Sequence, residues 1–374
     1  MEPWEYRRKP KPRRFWRIRD WYARSERTLS SLSLFGGFTF DALTLRRVDM
    51  FWENFWVVAH LLIVGICIVL VNIRENKGPN PNEPVGYHFW LANIMQFFFG
   101  GILSTFLVFY FRSGTIAASW PFFLILAAAF LSNENAKSRY LRLTFQISLF
   151  FLSVYAFAIY IVPVIMHTLS QTTFLIAGVA SLAFIGLFLL ILRFTAREKF
   201  VKSRTPLFLA IIIIFAGMNA LYFFNFIPPI PLSLKDSGIY QTFIVNAPGR
   251  YTAAAESQGP FAFFKLADDV HIAPGEPIYA YSAIFSPNNF STTIIHEWQE
   301  YDPQSHAWIT KSRVALPVTG GREGGYHTFS VNENLEPGAW RVNVETERGE
   351  VIGRMNFNVA YAVEEPALQT IEIN

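Results

Sequence analysis

After Phe226 the chain reads IPPIPLSLKDSGIY (227–240), and there its hydropathy changes character. Upstream lie long, nearly continuous apolar runs; downstream, apolar and polar residues alternate. The prolines stop a helix, since each lacks an amide hydrogen and clashes with the preceding turn, and together they make a stiff exit. The period of the pattern shifts from about 3.6 to 2 across this segment, which predicts helices before it and strands after it.

Upstream, a helix crossing the hydrocarbon core needs about 20 mostly apolar residues. Six runs meet that requirement: Phe55–Ile73, Phe89–Phe111, Thr115–Leu131, Leu141–Met166, Phe174–Leu192 and Pro206–Ile227. A seventh, Leu29–Leu45, is weaker, because it holds Gly36, Gly37, several hydroxyl residues and Asp41. Loop charge decides whether it counts. Lys and Arg near span ends stay in the cytoplasm, and the clear clusters are the N-terminal arm, Lys137/Arg139/Arg142 and Arg193/Arg197/Lys199/Lys202/Arg204. The connection near His167–Thr172 has no Lys or Arg. If Leu29–Leu45 crosses, every cluster falls inside and the uncharged loop outside, at the cost of leaving Arg46 and Arg47 outside beside Asp49 and Glu53. Seven spans are therefore expected, with the N-terminus inside and the C-terminal domain outside.

Downstream, Pro277–Phe285 places Tyr279, Tyr281, Ala283 and Phe285 on one face. Thr292–Tyr301 sets Ile294, His296 and Trp298 against Ile295, Glu297 and Gln299, and Trp308–Val318 groups Val314, Leu316 and Val318. Ala339–Thr346 turns Trp340, Val342 and Val344 inward and Arg341, Asn343 and Glu345 outward. Val351–Val359 alternates Met355, Phe357 and Val359 with Arg354, Asn356 and Asn358, and Glu347–Glu350 joins the last two runs as a hairpin turn. Short alternating strands with no helix between them predict an antiparallel, immunoglobulin-like sandwich. The expected organisation is a basic cytoplasmic arm (1–27), a transmembrane bundle (28–227), a proline-rich linker (228–239), an extracytoplasmic β-sandwich (240–361) and a patternless tail (362–374).

Composition agrees. Of 374 residues, 38 are Phe and 16% are charged, against about 25% in soluble domains. Residues 233–374 carry 9 Lys/Arg against 17 Asp/Glu, while residues 1–232 carry 23 against 11. A basic apolar front and an acidic back read as membrane part and water-facing part rather than as a nucleic-acid binder. Cys67, the only cysteine, lies in an apolar run, so neither an intrachain disulfide nor a cysteine metal site is available. No cleavable signal-peptide pattern precedes the first span. In the arm, Phe15, Ile18 and Tyr22 share a helical face flanked by arginines. It reads as a topogenic anchor lying on anionic lipid.

The stretches SLSLFGGFTFDALTLRRVD (31–49), FFFGGILSTFLVFYFRSGTIAASWPF (97–122) and NFIPPIPLSLKDSGIY (225–240) resemble those of bacterial multi-span membrane proteins carrying the uncharacterised "domain of unknown function 2914". So do His296-Glu297-Trp298, GGREGGYHTFS (320–330) and LEPGAWRVNVETERGEVIGRMNF (335–357). The resemblance implies a membrane bundle with a C-terminal β domain. It implies no activity, catalytic residue or cofactor.

Two groups of candidate residues stand out. At the membrane edge are Asp41, Arg46, Arg47, Asp49, Glu53 and His60; the last three lie at i, i+4 and i+11, with His60 about 10 Å below Glu53. Ionisable residues in spans often mark ion or substrate paths; alternatively the carboxylates neutralise the arginines and His60 bonds a neighbouring helix. Asn93, Gln96, Gln146, Asn219 and Asn225 are expected to join helices. In the β domain, His296, Trp298, Arg322 and Trp340 are candidates for a protein or glycan partner, although the alternation equally suits core tryptophans. TGGREGGY (319–326) lacks the Lys-Ser/Thr of a phosphate loop and reads as a flexible connection. Asp268-Asp269 reads as a solvated turn. No catalytic triad, zinc signature or dinucleotide fingerprint is present. The leading expectation is a non-enzymatic envelope protein of the bacterial cytoplasmic membrane, without cofactor or metal, whose outward β domain binds an envelope protein or a glycan. The rivals are a transporter or intramembrane enzyme using the membrane-edge cluster, and a structural assembly factor.

Overall fold

The computed structural model describes residues 38–45, 47–76, 87–135, 142–247, 250–256, 267–362 and 366–373. The basic arm, Arg46 and most of Leu29–Leu45 lie outside the described residues. Residues 38–44 form a short helix, α1. Six long apolar helices follow: α2 (Phe51–Asn76), α3 (Tyr87–Arg112), α4 (Ile116–Asn135), α5 (Leu143–Met166), α6 (Gln171–Thr195) and α7 (Arg197–Phe223). Each is long and apolar enough to cross a membrane. Phe97, Val179, Leu187, Phe194 and Ile212 lie exposed on their flanks, and such broad apolar cover demands a nonaqueous neighbour.

Short connections make the helices antiparallel neighbours. Only Ser113–Thr115 separates α3 from α4, and only Ala196 separates α6 from α7. At the start of α6, Ser170 Oγ accepts from the Thr173 amide at 3.2 Å while Thr173 Oγ1 accepts from the Ser170 amide at 3.0 Å, so the cap satisfies two donors. Helix α4 bends at Ser119, just before Pro121. The most enclosed helix, α5, is joined to its neighbours by polar bonds in an apolar setting: Asn72 Nδ2 donates to Gln146 Oε1 at 2.6 Å, Tyr110 to the Ala156 carbonyl at 2.8 Å, and Asn219 Nδ2 to the Tyr155 hydroxyl at 3.2 Å. Gln96 participates through its carbonyl, which accepts from Asn133 Nδ2 at 3.0 Å. Asn225, expected to join helices, instead reaches the β domain.

Eleven strands are described: β1 (Ser233–Tyr240), β2 (Thr242–Ala247), β3 (Arg250–Glu256), β4 (Asp268–Ile272), β5 (Ile278–Phe285), β6 (Ser291–Asp302), β7 (Ala307–Thr319), β8 (Tyr326–Asn332), β9 (Gly338–Thr346), β10 (Val351–Tyr361) and β11 (Leu368–Ile373). They form three sheets, ordered β1-β5-β8, β4-β10-β9-β6-β7 and β11-β3-β2. The first is the middle layer. Ile278, Ala280 and Ile284 face the five-stranded sheet, with Trp298, Trp340 and Val342, while Tyr281 and Ala283 pack with Phe243, Ala253 and Ile373.

The architecture and its boundaries differ from the expected antiparallel, immunoglobulin-like sandwich. A third sheet is present, and β10 pairs with β4 in parallel. The linker expected to run to 239 is strand from Ser233, because β1 pairs along β5. Residues 368–373, expected to be patternless, pair with β3. Asp268 and Asp269, read as a turn, open β4.

Candidate functional site

On the outer face of the five-stranded sheet, polar side chains of four adjacent strands stand in register. Pairing sets Arg354 of β10 opposite Asn343 of β9, Asn343 opposite Glu297 of β6, and Glu297 opposite Arg313 of β7. In the next row Arg341 stands opposite Gln299, and a bulge after Trp298 brings Gln299 opposite Thr310. Alternation turns these residues away from the core, and register converts separate outward positions into one array.

The array is held together internally. Glu297 accepts from Thr310 Oγ1 at 2.9 Å and from Asn343 Nδ2 at 3.1 Å, and Arg313 Nη1 lies 3.5 Å from it. Arg354 Nε donates to Asn343 Oδ1 at 2.6 Å, Arg341 Nε to Gln299 Oε1 at 2.7 Å, and Arg313 Nη2 to Glu345 Oε1 at 2.7 Å. The Arg341 guanidinium also lies 4.3 Å over the ring of Trp308, which packs on Tyr301 with centroids 5.3 Å apart. Glu297, Gln299, Asn343 and Glu345 are buried by one another and by the arginines. That desolvation has electrostatic consequences. Burial, with the neighbouring charge of Glu297, raises Glu345 to about 7. Burial, with the repulsion of Arg354, lowers Arg341 to about 10. Three arginines face two carboxylates here, so the array gains positive charge as Glu345 takes up its proton near neutrality.

The β-domain residues singled out in the sequence lie elsewhere. His296 and Trp298 are 0% exposed and Trp340 is 1% exposed. They alternate with the outward positions and fill the core between sheets, so they offer no surface to a partner. This corrects the ligand-contact expectation for all three. His296 Nε2 lies 2.8 Å from Ser282 Oγ and Nδ1 lies 2.9 Å from Ser330 Oγ, which accepts from Trp298 Nε1 at 3.0 Å. Ser282 Oγ in turn meets Thr328 Oγ1 at 2.9 Å. One direction satisfies the whole chain: Trp298 donates to Ser330, Ser330 to His296 Nδ1, and His296 Nε2–H to Ser282. It requires a neutral imidazole, and burial lowers His296 to about 4. A serine and a histidine at this spacing resemble a nucleophile and its base. Fully buried, they reach no substrate and act as a core network.

Arg322 is exposed, with its guanidinium 5.0 Å over Tyr326. Its loop is pinned rather than free, because the Gly320 amide donates to the Phe290 carbonyl at 2.8 Å and that of Gly321 to Ser286 at 3.1 Å. A Cβ at Gly320 would come within 1.8 Å of the Pro287 oxygen, so only glycine fits there.

The described members of the membrane-edge cluster divide between two places. Arg47 pairs with Asp49 through two bonds of 2.9 and 2.7 Å, and Glu53 accepts from the Arg47 backbone amide at 3.0 Å. Arg47 also lies 3.4 Å from Glu323 of the β domain. Asp41 and His60 lie within the bundle, close to each other and to Ser104. His60 Nδ1 bonds the Trp56 carbonyl of its own helix at 2.7 Å, not a neighbouring helix, and its ring packs on Phe98 and against Gly101. Sequence reasoning placed Glu297, Arg341, Asn343, Glu345 and Arg354 outward but did not group them. Only the strand order β10-β9-β6-β7 brings them together, and alternation within single strands carries no trace of it.

A family model described as "Protein of unknown function (DUF2914)" matches residues 291–359. That segment holds β6 to β9 and most of β10, and therefore the whole polar array. No curated protein matches the chain. Among solved structures, a β-glucosidase from Listeria innocua is 14% identical over 30% of this chain and 16% of its own, with a TM-score of 0.19. The alkylpurine DNA glycosylase AlkC of Pseudomonas fluorescens is 9% identical over 82% of this chain and 98% of its own, with a TM-score of 0.20. At those scores neither likeness extends to the fold.

Proposed function

We propose that this protein is a non-enzymatic component of a bacterial cytoplasmic membrane, whose β domain faces outward and binds an envelope protein or glycan through the outer face of its five-stranded sheet. The observation that carries the reading is the row Arg354, Asn343, Glu297, Arg313. Its donors and acceptors are oriented by one another before any partner arrives, so a partner is spared the cost of ordering them. The aromatic pair Trp308 and Tyr301 beside the row adds contact area of the kind that anchors interfaces. The outward orientation draws on the distribution of charge: Arg74, Arg142, Arg193, Arg197, Lys199, Lys202 and Arg204 gather at the bundle end away from the β domain. The division of the membrane-edge cluster into two places counts against the rival reading of a single ion path through it.

A photo-crosslinking residue placed at Thr310, beside the row, should capture a partner in intact cells, whereas one at exposed Thr370 on the outlying sheet should not. Arg313→Glu, which reverses the charge at the end of the row, should lower capture at least about tenfold, the effect of losing a charge-assisted contact. Retention of the same variants on purified cell-wall glycan distinguishes the two kinds of partner. Equal capture from both positions, or capture and glycan retention indifferent to Arg313→Glu, would remove the array from the binding surface.

A further inference from the structure

Two of the three arginines in the polar array have no ion pair. Arg313 meets Glu345 at 2.7 Å and Glu297 at 3.5 Å. Arg341 and Arg354 are instead pinned by Nε alone, Arg341 to Gln299 Oε1 at 2.7 Å and Arg354 to Asn343 Oδ1 at 2.6 Å. Among the described residues no carboxylate pairs with either guanidinium, and their Nη groups find no protein acceptor. Pairing sets Arg354 opposite Asn343 and Asn356 opposite Arg341, so the two arginines are diagonal neighbours across β9 and β10. Diagonal Cβ atoms lie about 7 Å apart, within reach of one another for side chains this long. Asn343 Nδ2 also donates to Gln299 Oε1 at 3.3 Å, so one pair of amides holds both guanidinium groups in place.

The surrounding carboxylates do not supply what the pair lacks. Glu297 attracts both arginines and Glu345 attracts Arg354, each from beyond ion-pair distance. Glu300 is taken up by Lys311 at 2.6 Å, and Asp302 and Glu336 also act on that lysine. Burial, then the repulsion of Arg354, draws Arg341 down to about 10, and burial draws Arg354 below its ordinary range despite both glutamates. Acceptors are therefore missing at this spot, whatever the net charge of the sheet. An anion that completes the two groups offsets the cost of having desolvated them.

The number of donors selects the anion. Two guanidinium forks present four Nη groups. A carboxylate has two oxygens in one plane and satisfies one fork, whereas a tetrahedral phosphate has oxygens for both. The Arg341 fork is further fixed by its place 4.3 Å over Trp308. Gln299 and exposed Thr310 continue the row beside it, and amide and hydroxyl groups of this kind are completed by sugar hydroxyls, which both donate and accept. We propose that Arg341 and Arg354 hold the phosphate of a phosphate-bearing glycan against the five-stranded sheet. This narrows the partner named above to a glycan with phosphate esters, and rests on that face being the partner surface.

The test uses the full chain in maltoside micelles, which carry no phosphate, with binding of dimethyl phosphate read from phosphorus NMR line broadening. Arg341→Gln and Arg354→Gln should each weaken binding about tenfold, the effect of losing one charge-assisted fork. Arg341→Lys keeps the charge and the stem over Trp308 without the fork; it should also weaken binding, and it serves should the glutamine form fail to fold. Arg250→Gln, on the outlying sheet, should change nothing. Binding that is unchanged in all three variants of Arg341 and Arg354, or equally weakened by Arg250→Gln, overturns the site. Acetate that competes as well as inorganic phosphate overturns the phosphate assignment in favour of an acidic protein segment. Binding of inorganic phosphate without dimethyl phosphate assigns the site to the free anion instead. No partner takes part in this measurement, so its failure is separate from a failure of capture at Thr310: phosphate binding without capture strikes the partner surface and leaves the two forks as an anion site.

Discussion

At the scale of single residues, two buried titratable groups in one small sheet pull the pH dependence of stability in opposite directions. Glu345 is raised to about 7, so its stabilising effect is complete below its ordinary value and is lost as pH rises through about 7. His296 is lowered to about 4, so its effect is present above its ordinary value and is lost as pH falls toward about 4. Between pH 4.5 and 6.5 the two effects oppose one another across β6 and β9. Glu345→Gln unmasks the histidine: stability, read from hydrogen exchange of the β9 amides corrected for intrinsic rates, should fall by up to about 3 kcal/mol from pH 6.5 to pH 4. A flat profile in that variant would show that His296 is not held neutral by the core. Much of this was legible beforehand at the level of faces. Ile294, His296 and Trp298 share one face by alternation, and burial of that face follows from Trp298. The hydroxyl chain through Ser282, Thr328 and Ser330 was not, since those residues come from β5 and β8 and meet His296 only across the sandwich.

At the scale of elements, the turn between β9 and β10 was readable as a hairpin, but its use was not. Arg348 in that turn lies 4.1 Å over the ring of Tyr222 near the end of α7 and hydrogen-bonds its hydroxyl, while Asn225 Nδ2 donates to the Arg348 carbonyl at 2.8 Å. Tyr222 in turn stacks on Phe174 of α6 at 3.6 Å. The hairpin therefore clamps the β domain to two helices. Arg348→Ala removes a cation–π contact and a hydrogen bond, together about 1–3 kcal/mol. Protease cleavage in residues 228–232 should speed up about tenfold in the variant while the β9 and β10 amides stay protected. Unchanged cleavage would mean that Arg47 and Glu323 hold the domain without the hairpin. One strand that escaped sequence reading shows why. β1 contains Lys235, Asp236 and Gly238 and is a strand because β5, itself readable in the sequence, supplies its hydrogen bonds.

At the scale of the whole molecule, six long apolar helices bring the start of α2 and the end of α7 to the same end, beside the β domain. The opposite end is tied where the Glu198 amide donates to Asn76 Oδ1 at 3.2 Å. The long apolar runs made this much of the architecture plain, because a membrane demands length and apolarity from each span separately. The layering of three sheets was out of reach, because it depends on pairings between strands distant in the chain. The proposed orientation sets the β domain outside a cytoplasmic membrane, on the side opposite the N-terminal arm. Labelling of single cysteines with a membrane-impermeant maleimide in intact cells tests it most directly, with Cys67 buried in the bundle. Thr168→Cys and Ser305→Cys should react at once, and Ser25→Cys only after permeabilisation. Reaction of Ser305→Cys only after permeabilisation would place the β domain inside and contradict the account.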